Sequence, residues 1–232
     1  MKRHTGGIIL TIVAALCVAG AAAFAVREFS SPTSKAADCA RVGAGRINGG
    51  AVKVSEGTPK VAILGDSYVA GDWLDSPDEG WSRLIGKAQG WETYVDGIGG
   101  TGFTNGGPCG DDTYASRVDG ILAASPRIVI VEGGLNDSEA SPDKVREAAV
   151  AVLRDLGSVP NVVLLGPANA PSKNDLDGID AALRTAASET GRQYVSALGW
   201  DLEFQPDRLH LTAAGHADFA KLVVEATADA AR

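Results

Sequence analysis

Five short apolar runs, set apart by amphipathic stretches, constrain this chain more than any other feature. The clearest is Lys60-Val61-Ala62-Ile63-Leu64-Gly65, and similar runs follow at Thr93–Ile98, Arg127–Val131, Asn161–Leu165 and Tyr194–Leu198. A run of this length without polar alternation marks a strand covered on both faces. The stretches between them read as helices. Ser141-Pro142-Asp143 supplies a cap, a proline in the first turn and an acid at the positive end of the helix dipole. Val145, Ala149, Val152 and Leu156 recur behind it at helical spacing, and Gly157 closes the segment. Thr212 caps a last helix whose inner face carries Phe219, Leu222 and Val223. Strands alternating with helices predict an α/β fold, a three-layer α/β/α domain around a five-stranded parallel sheet. Ligands of such sheets sit beyond the carboxyl ends of the strands, so chemistry is expected in the loops that follow them.

The domain occupies 59–232, and what precedes it reads differently. Lys2, Arg3 and His4 stand before Gly6–Val26, 21 residues without a charge. A helix of that length reaches roughly 31 Å, enough to cross a bilayer, and basic residues ahead of it stay cytoplasmic. Residues 1–26 therefore read as an export signal, with Ala23-Phe24-Ala25 as a cleavage site, or as a retained membrane anchor. Residues 27–58 mix Ser, Pro, Thr, Gly and scattered charges without a sustained period and read as an extracytoplasmic tether. The domain is then secreted or held on the outer face of the cytoplasmic membrane, touching it only through the N-terminal segment. In an oxidising compartment Cys39 and Cys109 have only each other to pair with, since Cys17 lies in the export segment. Residues 59–232 carry 14 Lys/Arg against 26 Asp/Glu, and this balance of −12 argues against nucleic acid as a partner.

The loop after the first strand is Gly65-Asp66-Ser67-Tyr68. Its serine stands where a helix begins, beside N–H groups that stabilise negative charge, although Gly, Asp and Ser also serve plain turn geometry. A serine hydroxyl needs a base to become a nucleophile at neutral pH. Of the three histidines, His4 lies in the export segment and His216 inside the last helix, where a structural role is expected, which leaves His210. Asp207, three residues earlier, can fix the tautomer of that ring and stabilise its cation, as the acid of a triad does. A solvated surface turn is the plainer alternative.

The loop after the second strand, Gly97-Ile98-Gly99-Gly100-Thr101-Gly102, matches the Gly-x-Gly-x-x-Gly pattern of dinucleotide sites. Gly106, Gly107 and Pro108 exclude the helix that such a fingerprint must open. Close backbone approach, with an N–H aimed at a developing oxyanion, is the other use of these glycines. Asn136, after the third strand, can donate to the same oxyanion or simply cap a turn. No cofactor or metal is expected, because His210 and His216 are six residues apart with no cysteine near. Trp73, Trp81, Trp91 and Trp200 are expected to pack in the core or at its rim rather than to stack on sugars.

Four blocks stand in order along the chain: Gly65-Asp66-Ser67, Gly97–Gly102, Gly134-Leu135-Asn136-Asp137 and Asp207-Arg208-Leu209-His210. With Leu211-Thr212-Ala213-Ala214-Gly215-His216 behind the last, the chain resembles the SGNH (GDSL-type) hydrolase family over about residues 60–231. The resemblance implies flavodoxin-like topology, Ser67 as nucleophile, His210 as base and Asp207 as its orienter. It implies oxyanion donors from the Ser67 N–H, the Gly100 N–H and the Asn136 amide. The function implied is an exported serine esterase for small-molecule, lipid or glycan esters. An acyltransferase or O-deacetylase of cell-envelope glycans would use the same triad, and a tethered binding module would have lost it. Tyr68 stands where the family's name-giving Leu would be, so the subfamily and acyl pocket do not carry over. The α/β-hydrolase elbow Gly-x-Ser-x-Gly fails at Val69.

Overall fold

The computed structural model describes residues 37, 39, 40 and 50–228; the expected export or anchor segment, 1–26, lies outside them. The sheet has six strands: β1 (Val52–Ser55), β2 (Lys60–Gly65), β3 (Glu92–Gly97), β4 (Ile128–Glu132), β5 (Asn161–Leu165) and β6 (Gln193–Val195). Their order is β1-β3-β2-β4-β5-β6. The five expected strands are β2 to β6, all parallel, and their order is that of flavodoxin-like sheets. The sixth corrects the expected count. β1 comes from the segment read as a tether and pairs antiparallel with β3. It has four half-exposed residues, Val-Lys-Val-Ser, and a register shift between Lys53 and Ser55, so its alternation is too short to read. A short, charged, bulged strand suits a sheet edge. Cys39 of the same segment is joined to Cys109 by a disulfide, with Cα atoms 4.8 Å apart.

Among the residues from 50 to 228 these helices cover the sheet: α1 (Ser67–Ala70), α2 (Trp81–Gln89), α3 (Tyr114–Ala123), α4 (Pro142–Asp155), α5 (Leu176–Glu189) and α6 (Ala213–Thr227). The caps read from the sequence are present. Ser141 Oγ accepts from Lys144 N at 3.5 Å, and Thr212 Oγ1 accepts from Gly215 N at 3.0 Å. Successive strand residues point to opposite faces, which divides the core in two. Ala62 and Leu64 join Val129 and Val131 beneath α3, α4 and α5, through Val118, Val152 and Leu183 among others. Val61 and Ile63 join Ile128 and Ile130 beneath α2 and α6, through Trp81, Ile85, Phe219 and Val223. Val61, Ala62, Ile63 and Leu64 have no exposure at all. Burying each of the larger three contributes roughly 1.5–3 kcal/mol, which makes β2 the most firmly held strand. Among the described residues no helix is long and apolar enough to cross a membrane.

Candidate active site

The site is built from the ends of β2, β3 and β4. Asp66 follows β2, accepts from the Tyr68 backbone N–H at 2.9 Å and so caps α1. Ser67 is the first residue of that one-turn helix, which Gly71 ends in a left-handed conformation. The glycine loop lies against this turn because no side chain holds it off. A methyl group on Gly97 would fall on the backbone of Val69 and Ala70, and one on Gly99 would fall on the Asp72 carboxylate. Gly100 holds φ 77°, which glycine adopts without strain.

After β4, a tight turn over Leu135–Asp137 carries Asn136 to the same place. Its Nδ2 donates to Asp66 Oδ2 at 3.1 Å and to Thr101 O at 2.9 Å, so one amide bridges the serine turn and the glycine loop. Asp137 reinforces the junction, accepting from Phe103 N at 3.1 Å and from Thr104 N and Oγ1, each at 2.7 Å.

Asp207 and His210 lie in the loop between β6 and α6. Asp207 Oδ2 meets His210 Nδ1 at 2.7 Å, and Oδ1 accepts from the backbone N–H of Leu209 at 2.9 Å and of His210 at 3.0 Å. One carboxylate thus fixes both the ring and the turn that carries it. Burial alone would raise the Asp207 carboxyl, but the bonds to His210 and the two N–H groups outweigh it and hold the carboxyl below its ordinary range. Nδ1 being engaged, Nε2 is the ring nitrogen turned away from Asp207.

Tyr68 joins the two halves: its hydroxyl donates to the Leu209 carbonyl, bonding the residue after Ser67 to the residue before His210. Burial, then the charges of Asp66, Glu132 and Asp207, push the Tyr68 phenol up and keep it a donor. His216 is structural, as expected. Buried at 1% exposure, it is pushed down to about 4 by burial and by His210, and its neutral Nδ1 accepts from Trp81 N at 3.4 Å.

The family model for GDSL-like lipases and acylhydrolases matches residues 63–217, more than half of the chain. The chain belongs to the GDSL-like lipase/acylhydrolase family. Solved SGNH-type esterases share the fold of this acylhydrolase. Est24, a carbohydrate acetylesterase from Sinorhizobium meliloti, aligns with a TM-score of 0.65 at 14% identity, over 74% of this chain and 99% of its own. The inhibitor-bound aryl esterase of M. smegmatis aligns with a TM-score of 0.65 at 15% identity, over 75% of this chain and 100% of its own. A putative arylesterase from Agrobacterium tumefaciens gives 0.62 at 18% identity, over 75% and 100%. No curated protein matches the chain.

The acylhydrolase site departs from the expected packing at Trp73 and holds two buried charged residues, Arg117 and Glu132, that the sequence does not announce. Trp81 and Trp91 are buried and Trp200 packs against Phe219 at 4.9 Å, but Trp73 is 56% exposed. It stacks on His210, centroids 5.1 Å apart and planes 25° apart. Its φ of 72° is left-handed, which costs a bulky residue roughly 1–2 kcal/mol. A tryptophan in Asp72-Trp73-Leu74-Asp75, six positions after Ser67, was the available signal.

Arg117, 2% exposed, lies under the site. Its Nη1 donates to Asp96 Oδ1 at 3.0 Å and Asp96 O at 3.1 Å, and its Nη2 to Gly65 O at 3.0 Å and Thr101 Oγ1 at 2.9 Å. Among the described residues, Cys109, Asp111 and Asp112 group their potential metal-ligand atoms within 4.8 Å, but the disulfide occupies Cys109 Sγ and leaves two carboxylates.

Beneath Asp66 is a second buried acid, Glu132, at the end of β4, with neither carboxyl oxygen hydrogen-bonded among the described residues. Burial, then the charge of Asp66, holds the Glu132 carboxyl well above its ordinary range. Burial likewise pushes Asp66 up to about 7, against the Tyr68 N–H. A raised folded value gives stability that is complete below the unfolded value and lost as pH rises towards the folded one. Each pH unit in which the unfolded chain alone is ionised removes about 1.4 kcal/mol. Glu132→Gln, uncharged at every pH, should therefore melt near wild type at pH 4 and several degrees above it at pH 8. Equal differences at the two pH values would show that Glu132 ionises freely in the fold.

Proposed function

We propose that this acylhydrolase is an exported serine esterase that cleaves carboxylic esters through an acyl-enzyme on Ser67. The observation that carries the reading is the Asp207–His210 bond of 2.7 Å in a turn tied to the serine helix by Tyr68 and Leu209. In the proposed mechanism Ser67 Oγ attacks the ester carbonyl while His210 Nε2 takes its proton, and Asp207 stabilises the imidazolium. The proton then passes from Nε2 to the leaving alcohol. Water, activated by the same nitrogen, releases the acid and restores the serine.

The oxyanion lies towards the N–H groups of Ser67 and Gly100 and the amide of Asn136. Both amide hydrogens of Asn136 already have acceptors, Asp66 Oδ2 and Thr101 O, so the oxyanion must share or displace one of them. The Cys39–Cys109 disulfide is consistent with an oxidising compartment, which supports export. The carbohydrate acetylesterase and the aryl esterases among the similar folds make acetylated sugars and aryl esters the first substrates to try.

The test is a fluorophosphonate probe with mass mapping, beside p-nitrophenyl esters from acetyl to palmitoyl and acetylated sugars. The reading expects one adduct, on the Ser67 peptide, and turnover of at least one ester series. Absence of both label and turnover would leave the tethered binding module in its place.

A further inference from the structure

We propose that Trp73 is a specificity-determining residue, the wall on which the ring of the leaving alcohol stacks as the ester is cleaved. The proposal rests on the serine-esterase reading and adds to it the substrate's alcohol part.

Its first support is position. A general acid must stand beside the oxygen it protonates, so the side of the site next to His210 Nε2 is the leaving-group side. The indole stacks on the His210 ring, 5.1 Å between centroids, which sets it beside the group that would protonate the departing alcohol.

The second support is exposure. Among the described residues the large apolar side chains left exposed are Val52, at 39%, and Trp73, at 56%. A lone exposed aromatic is ordinary, but this one lies against the ring of the proposed base.

The third is backbone. Trp73 holds φ 72°, where a side chain of its size is strained, and strain of this kind gathers at ligand clamps. The surroundings fix it there. Gln205 Nε2 donates to the Trp73 carbonyl at 3.2 Å, while the Gln205 backbone N–H donates to His210 O at 2.7 Å. One residue therefore holds both the wall and the base.

The ligand chemistry is a flat ring on the alcohol oxygen. An aryl ring would meet the indole by stacking, and a pyranose by its C–H face.

Trp73→Asn tests this without loss of fold, because Asn tolerates left-handed backbone and removes only the indole. Trp73→Phe keeps an aromatic face. We expect Trp73→Asn to lower kcat/KM for phenyl acetate, for an acetylated methyl glucoside, or for both by roughly five- to tenfold. Any loss through His210 is shared by ethyl acetate, so the reading is the ratio of ring-bearing to linear ester kcat/KM, which should fall roughly five- to tenfold and be mostly recovered by Trp73→Phe. The arm that falls identifies the ring as aryl or sugar. Equal losses on ring-bearing and linear esters would reduce Trp73 to a support for His210 and overturn the proposal, as would no loss on any.

Fluorophosphonate labelling of Ser67 separates the two levels of argument. A labelled wild type and a labelled Trp73→Asn with unchanged preference sink this proposal alone. An unlabelled wild type sinks the esterase reading and the proposal with it.

Discussion

Ser67→Ala should lower ester turnover by on the order of 10⁴–10⁶ and abolish fluorophosphonate labelling, while the protein melts at the wild-type temperature. The fold should survive because Asp66, not Ser67, caps α1, and Ser67 serves the turn through its backbone carbonyl, which accepts from Gly71 N and Asp72 N. Replacing the hydroxyl by a hydrogen leaves both contacts in place. Groups that act as one unit lose their effect together, so Ser67→Ala combined with His210→Ala should be no slower than either alone. Retained turnover in Ser67→Ala, or losses that multiply in the double variant, would remove Ser67 from the nucleophile's place.

How much of this was legible depends on how local each feature is. β2 showed plainly, because Val61, Ala62, Ile63 and Leu64 are buried on both faces and nothing polar interrupts them. β1 and β6 are edge strands of four and three half-exposed residues, too short for a period to establish itself. α1 is one turn long, and its cap looks like any Gly-Asp-Ser turn.

The same rule governs the site. Asp207 and His210 are three residues apart in one turn, so spacing allows the pair beside a plain surface turn, and the 2.7 Å bond decides between them. The bridge from Asn136 to Asp66 spans 70 residues, and no local pattern announces it. Glu132 ends a strand and looks like the start of a polar loop, yet it is fully buried. Arg117, in the first turn of α3, would pass for a solvated surface charge; its partners lie 16 to 52 residues away.

Arg117→Met should be strongly destabilising. Asp96 is also buried, at 5% exposure, so the variant withdraws a guanidinium from a carboxylate that water does not reach. Breaking such a pair from one side costs about 3–5 kcal/mol, a large share of the 5–15 kcal/mol that holds a typical domain together. At roughly 2–4 °C for each kcal/mol in a domain of this size, the melting temperature should fall by about 10 °C or more. Arg117 also holds the end of β2 through Gly65 O and the glycine loop through Thr101 Oγ1, the residue whose carbonyl accepts from Asn136. Turnover at temperatures where the variant remains folded should therefore fall as well, in kcat more than in KM, because the loop carries the proposed oxyanion donors. Adding Asp96→Leu removes the carboxylate that faced Arg117 and should return part of the melting temperature. It supplies no donor to Gly65 or Thr101, so turnover should stay low. Recovery of both together would mean that Arg117 acts on the site only through overall stability.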